Sequence, residues 1–201
     1  ATLPFTRFIA GAADYTICYY RQDFGRLNAD KDSYGVPRSK SIQTTPAHQL
    51  ALAAVYYSPL QYMYWYDKPS DSQDEPELKF FDDVYTTWDD TKVLQGEVGE
   101  FITIARRKGE EWFIGSITNN EKRVLSVSLD FLPEGKNYIA EIYTDGDKSV
   151  KTRTKVRVST YRVSNKTKLN FCLKASGGGA VRLVPDDGNI KSVKNYKQQR
   201  L

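Results

Sequence analysis

The chain has 201 residues, of which 40% are hydrophobic and 27% are charged, and its mean hydropathy is −0.57. This composition is typical of a folded globular protein and excludes disorder for most of the chain. The net charge of +4 equals the charge of residues 189–201, so the rest is neutral and does not indicate a nucleic-acid-binding face.

Residue counts exclude several further classes. The longest strongly apolar run, residues 47–57, is shorter than the roughly 20 residues that a membrane-spanning helix needs, so we expect no membrane partner. A single histidine, His48, excludes a two-histidine zinc site and would have to serve alone in any Ser-His-Asp triad. The two cysteines, Cys18 and Cys172, are too far apart in sequence to indicate a pairing, and their redox state stays open.

The first 85 residues or so are predicted to be helical and irregular. The chain begins at Ala1 without an initiator methionine or a signal sequence, so we expect a mature product or a piece of something longer. Residues 15–20 are predicted to form a strand. The polar stretch 21–44 follows, and in barrel folds such strand-to-helix loops build the active face. A second polar stretch, residues 67–79, is interpreted as a solvated surface loop.

A helix is predicted to begin at Thr45 and Pro46, because a threonine can cap free amides and proline suits the first helical position. Pro59 would break this helix, but Ser58 and Gln61 also fit a capping box. We therefore expect two consecutive helices, or one sharply kinked helix, ending near Tyr66.

Two features of this helical region have alternative interpretations. His48 could be a ligand contact or an acid, but an imidazole bonded to a neighbouring backbone group is favoured. Six aromatic residues could line a sugar site, although core packing is the commoner use of such side chains. They are Tyr56, Tyr57, Tyr62, Tyr64, Trp65 and Tyr66.

From about Val93 to Val184 the apolar residues alternate with a period of two, which predicts strands. The alternation is clearest at residues 125–131. Seven or so short strands separated by turn signals indicate an antiparallel sandwich. The predicted strands are 93–107, interrupted by Gly96 and Gly99, then 111–118, 125–131, 138–144, 155–163, 168–174 and 180–184.

Two motifs in this half are interpreted as turns. The glycine-rich segment 176–179 lacks the Gly-Lys-Ser/Thr and the following helix of a phosphate-binding loop. The segment from Asp145 to Ser149 has oxygens at calcium-loop positions 1, 3 and 5, but Val150 and Val156 stand where glycine and glutamate are required. After residue 188 the pattern stops, which predicts a flexible basic tail.

Several aspartates are candidates for the catalytic carboxylates of a glycosidase. Such chemistry needs two carboxyl groups about 5–10 Å apart across the scissile bond. The doublets Asp82-Asp83 and Asp89-Asp90 consist of neighbours that cannot face each other in this way, so a surface or capping role is favoured. Asp14 is more interesting, but one aspartate supplies only half of an acid–base pair.

Several motifs occur in the order and spacing seen in glycoside hydrolase family 97, and the chain resembles this family up to about Leu183. The motifs are Leu3-Pro4-Phe5-Thr6-Arg7, Ala10-Gly11-Ala12-Ala13-Asp14-Tyr15-Thr16, Thr44-Thr45-Pro46-Ala47-His48-Gln49-Leu50-Ala51, Ser58-Pro59-Leu60-Gln61, Trp88-Asp89-Asp90-Thr91 and residues 99–109. One departure is that Ile17 and Cys18 follow Asp-Tyr-Thr, where the family usually has Pro-Gly.

The resemblance implies an α+β fold: the last strand and helix of a (β/α)8 barrel, followed by a C-terminal antiparallel β-sandwich. We expect residues 1–85 to be the barrel remnant, residues 86–187 the sandwich and residues 188–201 the tail. Family members are calcium-dependent α-glucosidases and α-galactosidases of Bacteroides-type bacteria, which implies a periplasmic or extracytoplasmic location. Their partner is an α-linked oligosaccharide, and this portion would also contact the rest of the barrel.

The resemblance places the catalytic carboxylates and the calcium ligands upstream of Ala1, so no catalytic or metal-binding residue is assigned here and this chain alone is expected to be inactive. Thr6, Arg7 and Asp14 are the candidate substrate-binding residues, near the barrel mouth. The alternative is a non-catalytic sandwich module that binds carbohydrate or a protein partner through exposed aromatic residues. Its candidates are Trp112, Tyr138, Tyr143 and Tyr161.

Overall fold

A computed structural model describes residues 1–19, 44–65, 75–190 and 192–197, and these contain two α-helices and ten strands. Neither helix is long and apolar enough to cross a membrane. In chain order the elements are β1 (Tyr15–Tyr19), α1 (Pro46–Val55), β2 (Gln61–Trp65), α2 (Lys79–Asp83), β3 (Asp90–Glu97), β4 (Phe101–Lys108), β5 (Glu111–Thr118), β6 (Arg123–Ser128), β7 (Asn137–Asp145), β8 (Val156–Ser164), β9 (Lys168–Leu173) and β10 (Gly178–Pro185). Short 3-10 turns occur at Leu3–Phe5, Arg7–Ala10 and Pro76–Leu78.

Strands β3 to β10 form two packed antiparallel sheets, which confirms the predicted sandwich. Six strands pair in the order β3-β4-β5-β10-β7-β8, and β6 pairs with β9 in a smaller sheet. A continuous apolar core fills the space between the sheets, with Trp112, Leu129 and Phe171 among its buried members. The alternation predicted around β6 is confirmed, since Leu125 and Val127 are buried in this core.

The other face of the six-stranded sheet carries α1. Thr45 caps this helix by accepting a hydrogen bond from the His48 amide at 3.2 Å, and Pro46 occupies the first helical turn. All ten residues of α1 are buried, as its nearly uniform apolar sequence requires. The helix therefore packs on the sheet instead of presenting an apolar face to water.

Strands β1 and β2 form a parallel pair that is joined through α1, with a register that runs from Tyr15 opposite Gln61 to Tyr19 opposite Trp65. Parallel strands require such a crossover connection. One β-α-β unit is thus present, and the complete (β/α)8 barrel remains a prediction. The loop predicted at residues 21–44 lies outside the described residues except for Thr44, as do residues 66–74.

The prediction of a second helix ending near Tyr66 is wrong, because residues 61–65 form strand β2. Ser58 does not cap a helix: its hydroxyl donates to the Leu60 carbonyl at 2.7 Å. The Gln61 side-chain amide donates to the carbonyls of Ala53 and Ser58, both at 3.2 Å. These bonds close a turn after α1, and pairing with β1 then satisfies the backbone of an aromatic-rich segment that favours strands.

Part of the predicted tail 188–201, namely residues 192–197, lies against the sandwich, while residues 191 and 198–201 lie outside the described part of the chain. The Arg162 amide donates to the Lys194 carbonyl, and the Tyr196 amide donates to the Arg162 carbonyl, each at 2.9 Å. The Tyr196 hydroxyl accepts from the Asn170 amide at 3.0 Å. Tail residues that bond to β8 and β9 in this way extend the sandwich beyond β10.

Candidate functional site

The three predicted substrate-binding residues lie on the segment that leads into β1, and all three are exposed. The Thr6 hydroxyl donates to the Thr2 carbonyl at 3.1 Å. The Arg7 guanidinium donates to the carbonyls of Gly11 and Ala12, both at 3.3 Å, and Gly11 has a φ of 124° that favours glycine. Thr6 and Arg7 therefore stabilise the local backbone, while their role toward a sugar stays a prediction.

Asp14 immediately precedes β1, so it lies at the amino end of that strand. Barrel enzymes build their active sites at the carboxyl ends of the strands. The carboxyl ends of β1 and β2 lead into residues 20–43 and 66–74, which lie outside the described part of the chain. The position of Asp14 does not favour a place at the barrel mouth, and its assignment to substrate binding remains untested.

The acidic doublets have the structural roles that were favoured for them. Asp89 accepts from the Lys108 ammonium at 3.0 Å and from the Gly109 amide at 2.8 Å. The hydrogen bond from the Gly109 backbone, followed by that from Lys108, lowers the pKa of Asp89. Asp83 accepts from Arg182 at 2.8 Å. Neither doublet presents two facing carboxylates.

Arg182 is the centre of an ion-pair cluster that the sequence did not indicate. Its guanidinium lies 2.8 Å from Glu111, 2.8 Å from Asp83 and 3.5 Å from Glu141. Because β5, β7 and β10 are neighbours, the cluster joins three strands to the end of α2. Its arrangement ties α2 to the sheet.

His48 is buried at the first turn of α1, and its Nδ1 lies 3.0 Å from the Gly177 carbonyl. Burial lowers the pKa of His48 to about 4, so the ring is neutral near pH 7. A carbonyl oxygen can only accept, so Nδ1 carries the proton. This confirms the favoured interpretation of a histidine bonded to the backbone.

Asp145 lies at the end of β7, beside the same turn. It accepts from the backbone amides of Lys174 at 2.9 Å and Gly178 at 3.2 Å. Burial raises the pKa of Asp145. The carboxylate is therefore committed to holding the glycine-rich segment 176–179, which forms a turn into β10 as predicted.

Arg106 is a buried functional group that the sequence analysis missed. Its guanidinium donates to the carbonyls of Ala54 at 2.5 Å and Val55 at 3.2 Å, and to the Thr91 hydroxyl at 2.8 Å. The last carbonyls of a helix lack hydrogen-bond partners within the helix. A cation at this end also interacts favourably with the negative end of the helix dipole. Arg106 therefore fastens the carboxyl end of α1 to β4.

Of the six aromatic residues around β2 that were open to a sugar-binding role, one is shown to pack in the core, and the side chains of Tyr64, Trp65 and Tyr66 lie outside the described part of the chain. Tyr56 is buried and stacks on Phe8, with 4.7 Å between ring centroids, whereas Tyr57 and Tyr62 are exposed. Of the four residues considered for a carbohydrate-binding sandwich, Trp112, Tyr138 and Tyr143 are buried, which contradicts their use as an exposed platform. Tyr161 is half-buried. Strand alternation already puts some of these four side chains on an inward face, and the structure shows which ones they are.

Within residues 1–19, 44–65, 75–190 and 192–197, no three His, Cys, Asp or Glu side chains are grouped so as to hold a metal ion. The segment resembling a calcium loop is a turn after β7, in which Asp147 accepts from the Ser149 amide at 2.8 Å and pairs with Arg157 at 2.9 Å. The described residues therefore do not fit a calcium site.

Comparison with known proteins gives matches along the chain. The family described as "Glycosyl-hydrolase 97 C-terminal, oligomerisation" matches residues 87–184. A retaining alpha-galactosidase of Bacteroides thetaiotaomicron is 34% identical over 183 residues, which are 90% of this chain and 26% of the relative. A probable retaining alpha-galactosidase of Streptomyces bingchenggensis is 32% identical over 116 residues, covering 57% of this chain and 15% of that protein.

Solved structures agree with these relatives. A glycoside hydrolase family 97 enzyme from Pseudoalteromonas sp. strain K8, in complex with acarbose, superposes with a TM-score of 0.76 and 34% identity. The match covers 92% of this chain and 28% of that enzyme. The chain thus spans about a quarter of the length of such relatives. It belongs to glycoside hydrolase family 97 and corresponds to the C-terminal portion of its members.

Proposed function

We propose that this chain is the C-terminal portion of an enzyme that hydrolyses α-linked galactosides with retention of configuration. Two curated relatives, 34% and 32% identical, are named as retaining or probable retaining alpha-galactosidases. An α-glucoside is the second candidate substrate, because a 34% identical family member has been solved with acarbose bound. The sequence alone does not distinguish the two sugars.

The observation that carries this proposal is the way in which the β1-α1-β2 unit is seated on the sandwich. Gly115 and Gly178 let the backbone of α1 approach β5 and β10, since a Cβ at these positions would lie 2.4 Å from the Ala51 carbonyl oxygen and 2.6 Å from the His48 Cα. Arg106 fixes the other end of the helix. The sandwich is built to hold a strand–helix–strand unit in one position, as a domain that supports a barrel must.

The proposed partner of this portion is the rest of the barrel. Strands β1 and β2 pair with each other, and no third strand joins either of them among the described residues. Upstream parallel strands would supply the missing neighbours. We place the calcium ligands upstream as well, and a periplasmic or extracytoplasmic location follows from the family resemblance.

The chemistry requires two carboxyl groups about 5–5.5 Å apart for retention, one as acid–base and one as nucleophile. In the described residues, Asp83 and Asp89 bond to cations, and Asp145 accepts from backbone amides. On the family resemblance we assign both catalytic carboxylates to residues that precede Ala1 in the intact protein. This chain contributes support and one edge of the site.

The experiment compares the 201-residue chain with the intact protein encoded by the same gene. The intact protein is expected to cleave a nitrophenyl α-galactoside faster than the matching α-glucoside, to lose activity with a calcium chelator and to regain it with calcium. Proton NMR of the first sugar released is expected to show the α anomer. Turnover by the 201-residue chain alone, or initial release of the β anomer, would contradict the proposal.

A further inference from the structure

The sandwich is incompletely covered at one edge. Strand β8 is the edge of the six-stranded sheet, and the small sheet has two strands among the described residues. Residues of β7 and β8 line a groove at this edge. Residues 193–197 run beside this region, and the groove of about 780 Å³ lies between them. This volume falls within the range of roughly 300–1,000 Å³ that is typical of small-molecule sites.

The lining of the groove has a single sign of charge. Among its twelve residues are four cations, namely Arg157, Arg162, Lys194 and Lys197, and no acid. Asp147 pairs with Arg157, and Asp186 pairs with Arg162. The two lysines are exposed and have no acidic partner among the described residues. Because the two arginines are paired, the two lysines give the groove its net positive charge, and this charge attracts anions.

The remaining polar and aromatic residues suit a hydroxylated ligand. Ser159 and Tyr161 lie on the same face of β8 as Arg157, and this face is directed toward the groove. Tyr161 is half-buried and meets the Tyr196 ring edge-to-face, with 5.4 Å between centroids. Asn170 contributes an amide from β9. A tyrosine ring beside hydroxyl and amide groups offers both the apolar surface and the hydrogen-bonding groups that a sugar ring requires.

One wall of the groove lies beyond the residues that the C-terminal family model matches. The family match ends at residue 184, whereas Val193 to Lys197 line the groove. These residues are fixed by the backbone hydrogen bonds to Arg162 and by the Tyr196 hydroxyl. The groove is thus completed by residues that follow the matched domain in the chain.

We propose that this groove binds an anionic oligosaccharide through its carboxylate or sulfate groups, with Lys194 and Lys197 contacting the charge and Tyr161 contacting the sugar ring. Every residue that the proposal names belongs to the described part of this chain, so its test does not depend on the hydrolase assignment.

Isothermal titration calorimetry on the full 201-residue chain tests the proposal with three tetrasaccharides. Tetragalacturonate carries carboxylates, a sulfated carrageenan tetrasaccharide carries sulfates, and maltotetraose is the neutral comparison. We expect at least one acidic probe to bind more tightly than maltotetraose, with an affinity that falls as salt is added. The probe that binds identifies the anionic group.

The variant Lys194→Gln/Lys197→Gln removes both cations without changing buried structure, and its affinity for the bound probe is expected to fall about threefold to thirtyfold. The matched control, Lys122→Gln/Lys151→Gln, removes two exposed lysines that do not line the groove and is expected to bind as the parent does. A second variant, Ser159→Trp, fills the groove and is expected to abolish binding. No binding of either acidic probe, equal binding of maltotetraose, or an equal loss in the control would overturn the proposal.

Discussion

The carbonyl oxygen of Ala51 lies 2.4 Å from the position that a Cβ on Gly115 would occupy. Helix α1 thus rests on the bare backbone of β5. The nearest side-chain atom, Val55 Cγ2, would be only 2.8 Å from the same Cβ. Neither the Ala51 carbonyl nor the branched Val55 side chain can make room for this Cβ unless the helix moves.

We therefore predict that Gly115→Ala lowers the free energy of unfolding by about 2–4 kcal/mol, through overpacking beneath α1. Urea denaturation followed by tryptophan fluorescence measures the change. The control is Gly135→Ala, which has open space around its Cβ but a φ of 75°, and should cost only about 1 kcal/mol. Equal effects of the two substitutions would show that the close approach is unimportant.

Replacing Arg106 should release the carboxyl end of α1. Arg106→Met retains the aliphatic stem but leaves the Ala54 and Val55 carbonyls without their guanidinium donor, so we expect a loss of about 2–3 kcal/mol in urea denaturation. Arg107→Met is the matched control, because Arg107 donates at the surface to the Gly109 carbonyl and should contribute less than about 1 kcal/mol. A stability of Arg106→Met within error of the control would contradict the role assigned to Arg106.

The buried His48 should make stability depend on pH. Its folded pKa of about 4 lies below its ordinary value of 6.5, so the unfolded chain binds more protons between these values. The stabilisation is complete above about pH 6.5 and is lost as the pH falls toward about 4, by up to about 3 kcal/mol. The raised pKa of Asp145 acts in the opposite direction, because protonation of its carboxyl favours the folded state.

The variant His48→Asn isolates the histidine contribution, since the asparagine amide can donate to the Gly177 carbonyl without titrating. Unfolding free energies measured by urea at intervals across this pH range should fall less steeply for His48→Asn than for the parent. Parallel pH profiles would rule out His48 as the group responsible.

The docking of residues 192–197 depends on Tyr196, which bonds to the Asn170 amide and contacts the Tyr161 ring. Tyr196→Ala should free this segment and accelerate tryptic cleavage after Lys194 at least about tenfold, because proteases act on locally opened chain. Mass spectrometry of the fragments measures the rate. Tyr62→Ala, at an exposed tyrosine of β2, should leave cleavage after Lys194 unchanged. An unchanged rate in Tyr196→Ala would mean that Tyr196 does not hold the segment.

The sandwich could be predicted from the sequence because its strands carry a local period of two. Glu111–Thr118 has the predicted bounds, and residues 168–173 differ from prediction by one position. Strand β2 could not be predicted in this way. Its backbone pairs with β1, more than 40 residues earlier, and that distant partner outweighs a local helix-start pattern.

The long-range polar contacts that connect the helices to the large sheet could not be predicted from the sequence either. Arg106 lies near the end of the predicted strand 93–107, and its helix partners lie 51 and 52 positions away. Arg182 meets Asp83 across 99 positions. Such pairs have no sequence periodicity. The hydrogen bond between His48 and the Gly177 carbonyl spans 129 positions as well, so the place of His48 in an apolar helix predicts a backbone partner but not which one.

Every residue of α1 is buried, and its apolar cluster includes Phe113, Tyr143 and Ala180 of the large sheet. The regions before and after the sequence boundary near residue 86 therefore stabilise each other and should unfold together. A recombinant fragment that begins near residue 86 would expose the apolar surface of the large sheet that α1 covers. This fragment should precipitate or dimerise through that surface. The 201-residue chain should unfold in calorimetry as a single peak.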